Sequence, residues 1–453
     1  MEIDGTGMRP MFTFYDPAAH YEEIEKSRQE QNASVVEAAS QPPVAAPSPA
    51  SDAAPVAPAA PSPLLTGSTY WTDYRGPNRD GHYTQGPILT AWPSQGPPEL
   101  WRQQIGGGYA SVVIAEGRVF TIEQRREDEV VAAYDFNTGK ELWTHTWPAH
   151  FRESMGGPGP RATPTWHEGK LYALGAEGEL RCLEAATGKL IWKKNILSDN
   201  GAANLQWAMS GAPLIVDDKV IVLPGGRSGK SVVAYNKQTG APVWKSLNDQ
   251  QSYTSPMLVT LAGRRQIVLI SATRVLAVTV EDGALLWDYP WSTDFDINAA
   301  QPLIVDQDHV FVSSGYGHGA ALLQITSQGD SLKAVEVWQN NTMKNKFNSS
   351  VLHEGYVYGL DEGILACIDV RTGERKWKGG RYGFGQLLLA DGHLIVLTEQ
   401  GKVVLLKATP ESHQEVASFS ALSGKTWNNP ALADGRLIVR NQTEMACYDL
   451  RPR

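Results

Sequence analysis

The sequence predicts an all-β fold, an eight-bladed β-propeller built of four-stranded antiparallel blades. Three observations predict it. A phrase recurs in which a β-prone run leads into Thr-Gly or Asp-Gly and then a short run ending in Trp. It reads AAYDFNTGKELW at Ala132–Trp143, RCLEAATGKLIW at Arg181–Trp192, VAYNKQTGAPVW at Val233–Trp244, LAVTVEDGALLW at Leu276–Trp287 and ACIDVRTGERKW at Ala366–Trp377. The tryptophans at 101, 143, 192, 244, 287, 338 and 377 stand 42, 49, 52, 43, 51 and 39 residues apart, a period of one supersecondary unit stacked many times. The two ends of the array are also complementary fragments of one unit.

Residues 1–66 precede the array and read as an arm. Asp16-Pro17 suits a helix N-cap followed by a first-turn proline, which predicts a short helix to about Gln29. From Gln41 to Pro63 the chain carries 8 Pro and 8 Ala in 23 residues. Such a stretch cannot bury a core, and it predicts a disordered, semi-rigid spacer of up to ~70 Å.

Residues 67–453 hold the blades. In Pro164–Trp192 a strand ends in a Glu-Gly turn, two strands follow, and a Thr-Gly turn leads to a fourth strand ending in Trp. These dipeptides supply the positive φ that tight hairpins need. Blades are expected to start near Ser111, Thr163, Ala212, Ser255, Gln301, Ser349, Gln386 and Asn429. The last copy has three strands, and Glu99–Gln103 is a lone strand with its Trp. The N-terminal strand should therefore complete the final blade and close the ring, which also removes exposed sheet edges. Residues 70–453 number 384, or 48 per blade.

Composition narrows the function. A net charge of −9 argues against nucleic acid, which rewards clustered Lys and Arg. Nothing approaches the roughly 18 consecutive apolar residues of a membrane span. The opening MEIDGTGMRPMFTF has no basic segment followed by an apolar core, so no signal peptide is read there. Three cysteines make no disulfide framework. Cys182, Cys367 and Cys447 share one repeat position with Ala133, Ala234 and Ala277, which predicts small buried strand residues.

The repeated phrase resembles the repeat of the pyrroloquinoline-quinone (PQQ)-type propellers, and WTDYRGPNRDG (Trp71–Gly81) is similar to the lead-in of bacterial PQQ-like repeat proteins. The resemblance spans about Tyr70 to Arg453 and points to the non-enzymatic, BamB-like branch. It implies tryptophans docked between adjacent blades, protein partners and a periplasmic or cell-envelope location. The enzymatic branch comprises quinone-dependent alcohol dehydrogenases, longer chains with an adjacent cysteine pair over the cofactor. No cysteine here has a cysteine neighbour, and no calcium site beside a catalytic Asp can be assembled. No cofactor is therefore expected.

Other motifs reduce to turns. PGGRSGKS (Pro224–Ser231) resembles a phosphate loop, but Pro224 replaces the first glycine and VVAYN, a strand, follows where a helix is required. His167-Glu168-Gly169 and His353-Glu354-Gly355 are the same inter-strand turn in two blades.

Blade topology places the binding face. The loops leading into the innermost strands, and those joining second and third strands, share one face. They are long and irregular at His145–Pro160, Asn195–Trp207, Pro224–Lys230, Asp288–Asn298 and Ser314–Gly319, and such loops carry function more often than tight turns do. The position leading into each innermost strand is mostly polar. Two residues earlier lies a largely aromatic collar. The candidate channel-mouth residues are Tyr109, Arg161, Trp207, Tyr253, His318, Asn348, Phe384, Trp427 and Asn429; polar groups at a wet channel and aromatics filling blade gaps need no ligand to explain them. The expected function is a non-catalytic scaffold binding polypeptides on this face. The alternatives are a PQQ-dependent alcohol or sugar dehydrogenase with calcium, and a small-molecule or glycan-binding propeller.

Overall fold

A computed structural model describes residues 2–3, 5–6, 8–11, 16–40, 70–329 and 331–452. The Pro/Ala-rich stretch expected as a spacer lies outside the described residues. From residue 99 onward the chain forms eight antiparallel blades of four strands around one axis. Their innermost strands are Val113–Ala115 (blade 1), Thr165–His167 (2), Leu214–Val216 (3), Met257–Leu261 (4), Leu303–Ile304 (5), Val351–His353 (6), Gln386–Ala390 (7) and Ala431–Ala433 (8). Glu99–Gln104 pairs antiparallel with Glu444–Asp449 and supplies the outer strand of blade 8. The ring closes as the two fragments require.

Blade 2 shows how the sequence builds a blade. Glu168 and Gly169 turn at φ +48° and +73°, and the central strands Lys170–Leu174 and Glu179–Glu184 are apolar on both faces because a blade is sandwiched between neighbours. Cys182 faces Trp192 across the outer strand pair, and the register slips between Cys182 and Leu183. All eight blades slip at this same position, after Ala133, Ala234, Ala277, Leu322, Cys367, Leu405 and Cys447 in the others. A bulge sharpens the local twist, and in six blades the Ala or Cys beside it leaves room for the indole opposite, whereas Leu322 faces Trp338 and Leu405 faces Ala417 in the other two. The alternation of Cys with Ala at this site is thus a matter of volume. Burial pushes all three thiols up to about 12, so they stay protonated and inert at neutral pH.

The tryptophans join the blades. Trp143 Nε1 donates to Ala185 O at 3.2 Å, Trp192 to Lys237 O at 3.1 Å and Trp244 to Val280 O at 3.2 Å, each acceptor lying in the next blade. Trp101, Trp338 and Trp377 repeat the contact with Phe136, Val370 and Thr409. The glycine of the next blade's turn lies flat beneath the indole: a Cβ on Gly240, itself at φ +69°, would fall 2.8 Å from Trp192 Cε3. Trp287 departs from the rule. Blade 5 has ten-residue outer strands, Gly319–Gln328 and Ser331–Asn340, in place of the short glycine turn, and Trp287 bonds to Gln266 of its own blade.

Two segments outside the repeat complete the body. Trp71–Gly81, expected only as a lead-in, threads the central channel. Arg79 is 2% exposed and donates to Pro213 O at 2.6 Å, Pro256 O at 2.7 Å, Ala212 O at 3.1 Å and Asp73 Oδ1 at 2.6 Å. Arg75 Nη2 reaches Ser350 O on another blade at 2.7 Å. His82–Tyr83 then adds a short parallel strand to blade 7.

The N-terminal helix α1 runs Pro17–Ser40, beyond the expected end at Gln29. Nothing between Glu30 and Ser40 breaks a helix. Asp16 Oδ1 accepts the Ala18 N–H at 3.0 Å, as a capping residue should. The helix lies against the propeller: Ile24 is 1% exposed, and Arg28 bonds to Gln103, Gln104 and Glu141. Among the described residues no helix is long and apolar enough to cross a membrane.

Candidate functional site

The polar positions leading into the innermost strands form a belt that binds blade to blade. Ser111 N donates to Thr163 Oγ1 at 2.9 Å, Ala212 N to Ser255 Oγ at 2.9 Å, Ser255 N to Gln301 Oε1 at 2.7 Å and Gln301 N to Ser349 Oγ at 3.0 Å. Gln386 Nε2 spans two neighbours, Phe347 O and Trp427 O. Most of the belt's hydrogen-bonding capacity is therefore spent on ring cohesion.

Above the belt the collar opens into a funnel of about 360 Å³ on the long-loop face. Six of the nine candidate residues meet in its wall: Tyr109, Arg161, Trp207, Tyr253, Trp427 and Asn429. The Tyr109 and Trp427 rings lie 5.1 Å apart, Trp207 and Tyr253 5.8 Å, and Phe347 and Trp427 4.8 Å. Arg161 Nη2 pairs with Glu153 Oε1 at 3.1 Å, and its guanidinium sits 4.6 Å from the Phe151 ring. Burial holds that guanidinium below its ordinary pKa and pushes the Tyr253 phenol up to about 12. Trp427 Nε1 donates to Glu399 Oε1 at 2.9 Å, and Lys425 Nζ lies 4.5 Å from the same indole ring. Tyr74, from the segment in the channel, lines the funnel and takes a 3.4 Å bond from Asn429 Nδ2.

The other three candidates lie elsewhere. Asn348 is fully buried and bonded to Asn345, which makes it part of the blade wall. His318 is set edge-on to Trp291 at 4.1 Å, outside the funnel lining, and burial depresses its pKa. Phe384 is 5% exposed and stacks 5.6 Å from Phe347, contributing the underside of the wall.

Sequence reasoning passed over Glu153, Phe295, Tyr316, Lys346 and Gly5, which also line the funnel. The first three fall inside the long segments already singled out. Gly5 carried no signal. Those segments are also more ordered than expected, since His145 lies in the strand Glu141–Pro148, Asp288 in Leu285–Pro290, and Ile196–Asn200 is a helical turn, α2. PGGRSGKS is a hairpin turn, with a bridge between Gly226 and Lys230 and the strand Val232–Asn236 after it.

The acidic residue of the funnel lining is Glu153, and Glu399 lies behind it. Glu153 is turned onto Arg161 and the backbone N–H of Met155, and Glu399 onto Trp427 and Phe384 N. Among the described residues the one convergent acid–imidazole group is Asp306, Asp308 and His309. It sits on the opposite, turn face, where Arg371 already pairs with Asp306.

Comparison with known proteins identifies the family. The profile of the family described as "Outer membrane protein assembly factor BamB" matches residues 82–207 and 127–379. The chain belongs to this family. The BamB of Yersinia pestis is 22% identical over 312 residues, covering 65% of this chain and 75% of that protein. The crystal structure of BamB from Moraxella catarrhalis superposes with a TM-score of 0.57 at 16% identity, covering 79% of this chain and 98% of the other. A 1-butanol dehydrogenase (cytochrome c) of Thauera butanivorans is 34% identical over 104 residues, 21% of this chain and 14% of the enzyme. That likeness extends over about two blades, whereas likeness to BamB extends over most of the ring.

Proposed function

We propose that this chain is a non-catalytic scaffold that binds a polypeptide in the aromatic funnel of its long-loop face, in protein assembly at the cell envelope. The observation that carries this reading is the funnel's composition. Trp207, Tyr253, Phe295, Tyr316, Phe347 and Trp427 line it beside Arg161, the residue types that dominate binding energy at protein interfaces, while its carboxylates are engaged in structural bonds. Membership of the BamB family supports a role in protein assembly.

The test is site-specific photo-crosslinking in native cells. A photoreactive residue in place of Phe295, which is 70% exposed at the funnel rim, is expected to capture a discrete polypeptide. The same residue in place of Asn137, on the Thr-Gly turns of the opposite face, is expected to capture none. Arg161→Ala together with Trp427→Ala should weaken capture at Phe295 by tenfold or more. Absence of capture at Phe295 in wild type and in Gly5→Leu protein alike, or turnover of an alcohol or sugar by protein supplied with PQQ and calcium, would overturn the reading.

A further inference from the structure

Part of the funnel wall comes from the N-terminal end of the chain. Glu2–Ile3 pairs antiparallel with Pro10–Met11, and Gly5, on the connection between these strands, is buried in the funnel wall. Its N–H donates to Glu399 Oε1 at 2.6 Å, and its carbonyl accepts from Lys346 Nζ at 2.6 Å. A Cβ added at Gly5 would overlap the ring of Phe384. Lys346 is itself held 5.0 Å from the centre of that ring and 5.2 Å from that of Tyr316.

One residue's backbone is therefore read from both ends by charged side chains, and the absence of a side chain is read by an aromatic ring. Glu399 is 3% exposed, and a buried carboxylate gains more from a backbone N–H than an exposed one would. Such a site accepts a backbone segment that has a glycine at the point of contact.

We infer that the notch formed by Glu399, Lys346 and Phe384 at the funnel wall is a receptor for the glycine of a β-hairpin connection, and that Gly5 occupies it in cis. This rests on the polypeptide-binding reading above and adds the partner's chemistry and a form of autoinhibition. Helix α1 anchors the arm on the propeller from Pro17 onward, twelve residues after Gly5. A tether of that length keeps the turn at an effective concentration on the order of millimolar. A partner hairpin reaches that notch only by displacing Gly5.

The probe is a fluorescein-labelled, backbone-cyclised peptide of residues 1–12, titrated by anisotropy into the full chain. Gly5→Leu in the protein removes the cis occupant without touching the ring, which an unchanged melting temperature verifies. The peptide is expected to bind Gly5→Leu protein at least ~10-fold more tightly than wild type. Lys346→Met in the Gly5→Leu background should cost tenfold or more, and the peptide carrying Leu at position 5 should not bind. Equal affinity for wild type and Gly5→Leu, or no binding to Gly5→Leu, overturns the inference. Crosslinking at Phe295 separates the two failures. Equal capture by wild type and Gly5→Leu would sink cis-blocking and leave the scaffold reading standing, whereas capture by neither would sink the scaffold reading itself.

Discussion

Arg28 of helix α1 and Glu141 of blade 1 form an ion pair at 3.1 Å, with their side chains only 9% and 14% exposed. The same guanidinium donates to Gln103 Oε1 at 2.8 Å and to Gln104 O at 2.6 Å. Gln103 and Gln104 belong to the strand that completes blade 8. One side chain thus ties helix α1 to both blades at the place where the ring closes.

Arg28→Ala should release the helix. Three hydrogen bonds to a part-buried cation are lost, at a cost of roughly 2 kcal/mol to docking. Amide hydrogen exchange over residues 17–31 should rise at least tenfold while blades 2 to 6 are unchanged. Unaltered protection of the helix would show that Ile24 and Tyr21 hold it unaided.

The indole between blades acts by volume first and by hydrogen bond second. Trp192→Phe loses the bond to Lys237 O and should cost about 1 kcal/mol, whereas Trp192→Ala opens a cavity worth about 3–5 kcal/mol. Gly240→Ala should approach the larger value, because its methyl group meets the indole and its φ is positive. Urea titrations of the three variants check this order.

Arg79 is a buried cation whose donors are taken by carbonyls of blades 3 and 4 and by Asp73. Arg79→Met leaves those carbonyls and the carboxylate without a donor in the channel, and should cost about 3–5 kcal/mol. Calorimetry should show a fall of several degrees in Tm. A melting temperature within one degree of wild type would mean that the channel segment contributes little to ring cohesion.

Glu129 is fully buried between blades 1 and 2, with one oxygen accepting Ala176 N–H at 2.7 Å and the other unpartnered. Burial, reinforced by the charge of Glu177, raises its pKa from 4.5 to about 7. Between those pH values the folded protein holds a proton that the unfolded chain has released. Stability therefore falls as pH rises through that window, by roughly 3 kcal/mol in total, and levels off above pH 7. Glu129→Gln should remove the slope and exceed wild-type stability at pH 8 by roughly 1–3 kcal/mol. Denaturation midpoints at pH 5 and pH 8 give the comparison, and parallel pH profiles would sink the assignment.

The sequence by itself determined the ring. The Glu-Gly and Thr-Gly turns, the Cys or Ala facing most of the repeat tryptophans and the spacing of the tryptophans are local or one blade apart, so a repeated grammar writes the blade eight times and implies the closing strand. The same repeat told which face the long loops share. The tertiary structure decided the rest. Trp71–Gly81 and α1 lie outside the repeat, and nothing in their own residues says that one fills the channel and the other covers the seam. The funnel draws Gly5, Phe384 and Glu399 together from opposite ends of the chain, through contacts that close only once all the blades are in place. His318 looked like a mouth residue because it stands in a glycine-rich loop of the long-loop face, and Asn348 because it stands between the collar and belt positions of its blade. Whether a side chain at such a position faces the channel or the neighbouring blade depends on packing, and there the wall took both.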